Sequence, residues 1–235
     1  MDEIREFLAQ SATAHKNLCP RQVLGVRMGR CAARLLGFDP MQVEKRLLVI
    51  VETDGCFATG VSTATRCTIG SRNLRIEDLG KAAATFTDTK LGRSVRIAPS
   101  AESRALAEQY APEVPDRWEA MLEGYQRIPD ELLFSWQPVE LLTSIEAIFS
   151  KPGVRTACQV CGEEIINERE VVRDGQVLCR SCAGFSYYTP AIAQAQPLAD
   201  GQPARRVARP LHRVPAQGKN GSSRTPGDTG RGELG

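Results

Sequence analysis

Apolar positions near the start of the chain follow the helical period. Within residues 2–14, Ile4, Phe7 and Leu8 fall on one face, which predicts a short helix. A second helix is predicted to begin at Pro20, because proline suits the first helical turn, and to end at Gly37. The periodic positions of this second helix are Val23, Leu24, Arg27, Met28, Cys31 and Leu35.

The middle of the chain alternates between short apolar runs and turn residues. Leu47–Val51 is continuously aliphatic, which is typical of a strand buried on both faces. The small residues between Cys56 and Cys67 predict a short, closely packed helix. Together the pattern predicts an α+β core domain over residues 1–150. Its remaining elements are predicted as strands at 73–76, 82–87, 94–98 and within 132–142, and as surface helices at 101–110 and 116–125.

The composition changes near residue 190, where Pro, Gly, Gln, Arg and Ser replace large apolar residues. Such a segment buries too little surface to offset its ordering entropy, so 190–235 is predicted to be a disordered, basic tail. Residues 201–235 have a net charge of +5, and because the whole chain has +2, residues 1–200 have −3. This mildly acidic body gives no reason to expect nucleic acid on its surface.

No segment is apolar for long enough to span a membrane. The longest apolar run, Leu47–Val51, has five residues, whereas a span needs about 20. The acidic start, Met1-Asp2-Glu3, does not resemble an export signal. We therefore expect a cytoplasmic protein whose eight cysteines are thiols or metal ligands rather than disulfides.

Four cysteines near the C-terminal end have the spacing of a structural zinc site. They form two pairs, each with two residues between its members, and 17 residues separate the pairs. Zn²⁺ prefers four thiolates in a tetrahedron, and a two-residue gap lets one tight turn supply two corners. Two disulfides or unligated buried thiols are the alternatives. The predicted ligands are Cys158, Cys161, Cys179 and Cys182.

The residues between and after these pairs predict the fold of the zinc site. Asp174-Gly175 between two short apolar runs is a strong hairpin signal. The second cysteine pair is predicted to begin a short helix through residues 183–188. The tight turn at the first cysteine pair (a zinc knuckle), the hairpin and the helix together predict a small treble-clef zinc finger over 155–188.

The other four cysteines do not have this spacing. Cys31 lies on the apolar face of the second helix and is interpreted as a core residue. Cys19 immediately precedes that helix, where the helix dipole favours a thiolate. A candidate core site contains residue types suited to a metal or to a thiolate nucleophile, although a capping cysteine and a half-buried histidine would explain the same residues. Its members are His15, Cys19, Asp54 and Cys56.

Several motifs around these residues resemble the FmdE family, which is named for formylmethanofuran dehydrogenase. They occur at 15–20, 23–29, 52–56, 67–74 and 78–86. The resemblance implies an α+β core that dimerises, with a metal-binding cleft lined by the two cysteine segments. It also implies association with a molybdenum or tungsten enzyme, and several members have a C-terminal treble-clef finger.

The chain departs from the family pattern around the cysteine segments of the core. Asn17 replaces a histidine and Thr59 replaces an acidic residue, while Ser62 and Arg66 replace a glutamine and a glycine. Losing an imidazole and a carboxylate removes two metal ligands. The sequence thus predicts at most a reduced core site.

These features predict a zinc-binding accessory protein of the FmdE type. It would act as a homodimer beside a molybdenum- or tungsten-dependent dehydrogenase or its metal supply, with a second core metal of unknown identity. One alternative is a treble-clef nucleic-acid or protein-interaction module, but the tail lacks the aromatic residues that stack on bases. Another is a thiol enzyme with Cys19 or Cys56 as nucleophile and His15 as base. The sequence contains no nucleophile elbow or phosphate-binding loop, so an accessory protein is favoured over a free-standing catalyst.

Overall fold

In the computed structural model, which describes residues 2–15, 17–37 and 46–189, the chain divides into two units between Ser150 and Lys151. The predicted tail at 190–235 lies outside the described residues, and the extents of the predicted domains stay predictions. In the described part of the chain, no helix combines the length and apolar character that crossing a bilayer requires.

The first unit contains a five-stranded mixed sheet. Its spatial order is β2-β1-β3-β4-β5, in which β1 and β2 are parallel and all other neighbours are antiparallel. The interior position of β1 agrees with its aliphatic sequence, because nearly all of its residues are buried. The last strand, β5, lies at the edge and includes Pro138. The strands are β1 (Leu47–Val51), β2 (Leu74–Ile76), β3 (Ala84–Asp88), β4 (Arg93–Pro99) and β5 (Phe134–Val139).

Helices complete the first unit, and the predicted α+β fold is confirmed. The second helix ends as predicted, because Gly37 adopts the left-handed conformation that glycine tolerates best. The helical period places Leu35 on the apolar face of this helix, which is wrong, since Leu35 is 37% exposed and Leu36 is the buried neighbour. The helices are α1 (Asp2–His15), α2 (Pro20–Leu36), α3 (Gly55–Thr65), α4 (Ser103–Tyr110), α5 (Arg117–Arg127), α6 (Asp130–Leu133) and α7 (Ile145–Phe149).

Helices α4 and α5 are more than the surface helices that the sequence predicted. Ala107, Ala120 and Tyr125 are buried between them and the rest of the unit. Gly124 lets the two backbones touch, because a Cβ atom there would lie 2.3 Å from the carbonyl oxygen of Ala107. The pair therefore forms a fixed wall of the first unit.

Two glycines bring α2 and α3 into direct backbone contact. A Cβ atom on Gly25 would lie 2.4 Å from the carbonyl oxygen of Phe57, and one on Gly60 would lie 2.3 Å from that of Gln22. No side chain fits between the helices at this crossing. As a result, Cys19 at the start of α2 comes close to Cys56 in the first turn of α3.

Replacing Gly60 with alanine is expected to destabilise the first unit by about 1–3 kcal/mol, since the added methyl group overlaps backbone atoms that cannot rotate away. Chemical denaturation followed by tryptophan fluorescence would measure this. Gly70→Ala is the control, because a Cβ atom there would be 4.0 Å from its nearest neighbour. Equal stability of the two variants would contradict a tight helix crossing.

The second unit is made of two short hairpins and a helical turn. The hairpin signal at Asp174-Gly175 is confirmed, because both residues have positive φ and join two antiparallel strands. The predicted helix is shorter than expected: a π-helical turn covers Ser181–Phe185, and Gly184 with φ of 97° interrupts it. The strands are β6 (Arg155–Ala157), β7 (Glu164–Ile166), β8 (Val171–Arg173) and β9 (Gln176–Leu178).

Candidate functional site

A cleft of about 940 Å³ opens in the first unit. The beginnings of α2 and α3 supply Cys19 and Cys56, and the segment before β3 supplies Lys81. The opposite side includes Arg96 of β4 and residues of α4 and α5. The cleft is therefore built by elements that are far apart in sequence.

The structure brings Cys19 and Cys56 together at this cleft. Both side chains are half-buried, and the two thiols are close enough to interact. Burial, and then the contact with Cys19, raise the pKa of Cys56, while the positive charge of Arg21 acts in the opposite direction. This pair has the chemistry of a bidentate soft-metal ligand or of a dithiol.

The backbone of Cys19 is held by Gln22, which sequence reasoning missed. The Gln22 amide oxygen accepts a hydrogen bond from the Cys19 N–H at 2.9 Å, and its Nε2 donates to the carbonyl oxygen and the hydroxyl of Ser11. Gln22 is fully buried, so these bonds tie α1 to the start of α2. A glutamine three residues after a helix cap is the signal that could have identified it.

The other two members of the candidate core site are placed differently. Asp54 is the N-cap residue of α3, but its exposed side chain makes no capping hydrogen bond, and it is not among the residues that line the cleft. His15 is the last residue of α1, but its side chain lies outside the described residues. Of the four candidate residues, the described structure thus brings Cys19 and Cys56 close together.

In the second unit, the four C-terminal cysteines converge on one point. Their sulfur atoms all lie within 4.8 Å of one another, and those of Cys161 and Cys179 are 3.9 Å apart. Four sulfurs at about 2.3 Å from a zinc ion would be separated by about 3.8 Å, whereas a disulfide bond is about 2.05 Å long. The donor set and its spacing therefore fit a tetrahedral zinc ion.

The backbone around this cluster favours the thiolate form of Cys158, whereas burial raises the pKa of Cys161 and of Cys182. The N–H of Cys179 donates to Sγ of Cys158 at 3.2 Å, and the N–H of Cys182 donates to Sγ of Cys179 at 3.4 Å. Although burial raises the pKa of Cys158, N–H donors from Cys161, Cys179 and Val160 outweigh it and lower that pKa to about 6. A thiolate is the form that binds metal.

Comparisons with family models match both units. Residues 14–135 match the family described as FmdE, molybdenum formylmethanofuran dehydrogenase operon. Residues 152–188 match the prokaryotic dksA/traR C4-type zinc finger. The second match and the sulfur geometry agree on a four-cysteine zinc finger.

The chain is also similar to individual proteins. It is 31% identical over 212 residues to a protein of Archaeoglobus fulgidus described as "Probable S-adenosyl-L-methionine-binding protein", a match that covers 79% of this chain and 54% of the relative. The chain thus spans about half the length of that relative. A crystal structure of an FmdE-like protein of the tungsten formylmethanofuran dehydrogenase type, from Syntrophus aciditrophicus, aligns with a TM-score of 0.48 and 21% identity, over 79% of this chain and 95% of the other.

Proposed function

The chain belongs to the FmdE family, whose model it matches over residues 14–135, and on this premise we propose that it is a zinc-binding accessory protein of a molybdenum- or tungsten-dependent dehydrogenase, or of the metal supply of such an enzyme. The observation that carries the proposal is the interacting thiol pair, Cys19 and Cys56, in the wall of a large cleft. The family description, which refers to the operon of a molybdenum enzyme, supports the choice of partner.

The zinc has a structural role in this proposal. Its ligands are the four converging thiols, and four protein ligands leave no coordination position for water or substrate. The two hairpins and the helical turn that surround it support a treble-clef finger over 155–188. The ligands are Cys158, Cys161, Cys179 and Cys182.

A second metal is held at the core cleft. Cys19 and Cys56 supply two soft ligands, which suit zinc or another thiophilic ion. His15 ends the helix that Gln22 ties to the start of α2, and Asp54 is two residues from Cys56. We propose His15 as the third ligand, and Asp54 as a fourth that binds when its exposed side chain, which is not part of the cleft lining, turns toward the two thiols.

We place the protein in the cytoplasm as a homodimer. None of the eight cysteines, all of which lie among the described residues, forms a disulfide, which is typical of a reducing compartment. The FmdE resemblance supports the dimer. Light scattering of the purified protein should give twice the chain mass of 25.7 kDa, and a mass of one chain would contradict the dimer.

Elemental analysis of the purified full-length protein tests the two metal sites together. The wild-type chain should contain zinc and a second equivalent of metal. The double variant Cys19→Ser/Cys56→Ser should lose the second equivalent and keep one zinc, because the two thiols are the soft ligands of the core. If the wild type contains one zinc per chain and the double variant is unchanged, the proposed core metal is wrong.

The similarity to the Archaeoglobus protein favours a second candidate function, binding of S-adenosylmethionine. The cleft, at about 940 Å³, is within the size range of small-molecule sites. Calorimetric titration of the purified protein with S-adenosylmethionine would show saturable binding if this candidate holds, and no heat of binding if it does not.

A further inference from the structure

We propose that the core cleft is a binding site for an organic anion of nucleotide size, with more than one negative charge and a planar ring. The inference rests on the proposed function in that it names a ligand for the same cleft. It does not depend on a metal being present there.

The charge of the lining is the first observation. Residues 1–150 contain 18 basic and 20 acidic side chains, so the first unit as a whole is slightly acidic. The cleft nevertheless has five cationic side chains along its lining and no carboxylate. A concave surface with charges of one sign concentrates its field and attracts ions of the opposite sign. The cations are Arg21, Lys81, Arg96, Arg104 and Arg117.

Two of these cations are already compensated. Arg96 forms a bidentate ion pair with Glu52 at 2.6 and 2.7 Å, and Arg117 pairs with Glu108 at 3.0 Å. The other three, Arg21, Lys81 and Arg104, have no ion pair with a carboxylate among the described residues. The cleft therefore has an uncompensated charge of about +3, which suits a ligand with two or three negative charges.

The apolar part of the lining is the second observation. Trp118 and Met121 of α5 and Leu24 of α2 border the cleft, and the indole of Trp118 is 47% exposed. An exposed aromatic ring beside cations is suited to stack on a planar ring whose charged groups bind nearby. An inorganic oxyanion would fill only a small part of about 940 Å³, so the lining favours a larger, organic ligand.

The wall that holds these groups is rigid. The Tyr125 hydroxyl interacts with Ser103 and Arg104, which links α5 to α4 beside the cleft. Gly124 packs the same two helices backbone to backbone. The helix backbones that carry Arg104 and Trp118 are thus fixed relative to each other, which reduces the cost of ordering the site around a ligand.

Titration of the full-length protein distinguishes the two classes of anionic ligand, organic phosphates and organic carboxylates. The probes are adenosine diphosphate for phosphates and benzene-1,3,5-tricarboxylate for carboxylates, with adenosine as the uncharged control. Trp118 fluorescence or calorimetry would report binding. We expect at least one anion to bind about tenfold or more tightly than adenosine, with an affinity that falls as salt rises.

Substitutions locate the site. Lys81→Gln and Arg104→Gln should each weaken anion binding by about tenfold, because each removes a charged hydrogen-bond donor. Arg5→Gln, at an exposed position of α1 outside the cleft, should leave it unchanged. The proposal is overturned if neither anion binds, if adenosine binds as tightly, or if the cleft variants behave like Arg5→Gln.

The same samples separate this proposal from the proposed function. A chain with one zinc that still binds the anion would overturn the core metal and support the anion site. A chain with two metals that binds neither anion would support the core metal and overturn the anion site. Binding of S-adenosylmethionine alone, whose sulfonium is cationic, would also overturn the anion site.

Discussion

Removal of zinc is expected to unfold the second unit and to leave the first unit folded. The buried apolar residues of the described second unit are few, namely Ile165, Leu178 and Ala183 beside Cys158. A unit this small needs a metal or disulfides to fold, and a structural zinc contributes on the order of 10 kcal/mol. After chelation, hydrogen exchange should become fast throughout β8 and β9, while α2 and β1 keep their protection.

Single substitutions provide the matched comparison for this prediction. Cys179→Ser should lose the zinc and the protection of the second unit together. Cys31→Ala, which changes a buried cysteine of the first unit, should keep both. If elemental analysis finds no zinc and the second unit still resists exchange, the hairpins do not depend on the metal.

Replacement of Arg27 with methionine is expected to destabilise the first unit by about 3–5 kcal/mol. Arg27 is buried and donates to the carboxylate of Asp130 at 2.6 Å. It also donates to three backbone carbonyl oxygens in the last turn of α5 and directly after it, those of Tyr125, Gln126 and Ile128. Methionine fills similar volume, but it leaves these carbonyl groups without their donor and the carboxylate with the exposed Arg34 alone.

Arg34 offers a control at the same carboxylate. It also pairs with Asp130, but its side chain is 60% exposed, so Arg34→Ala should cost about 1 kcal/mol or less. Urea unfolding followed by tryptophan fluorescence isolates the first unit, since both tryptophans, Trp118 and Trp136, belong to it. Similar losses for the two variants would show that the buried position of Arg27 has no special importance.

Local patterns in the sequence were enough to predict most of the elements. The caps of α2, the aliphatic run of β1 and the Asp174-Gly175 turn each depend on neighbouring residues. The four-cysteine cluster was predictable for the same reason, because each pair needs one tight turn and zinc requires four ligands.

Neither the buried ion pair of Arg27 nor the cleft could be predicted in this way. Arg27 and Asp130 are 103 residues apart, so the periodic pattern gave no sign that this arginine is buried by a partner. The cations that line the cleft come from α2, β4, α4, α5 and the segment before β3. Helices α4 and α5 have mostly polar sequences, and only the close approach at Gly124 shows that they form a wall.

The glycine crossing of α2 and α3 determines how the cleft can recognise a ligand. Because the two backbones are in contact at Gly25 and Gly60, the distance between Cys19 and Cys56 cannot be adjusted by repacking side chains. A ligand of the proposed site therefore meets this side of the cleft in a preset shape. Because this side is already ordered, binding costs little free energy for its reorganisation, which favours ligands whose groups match it.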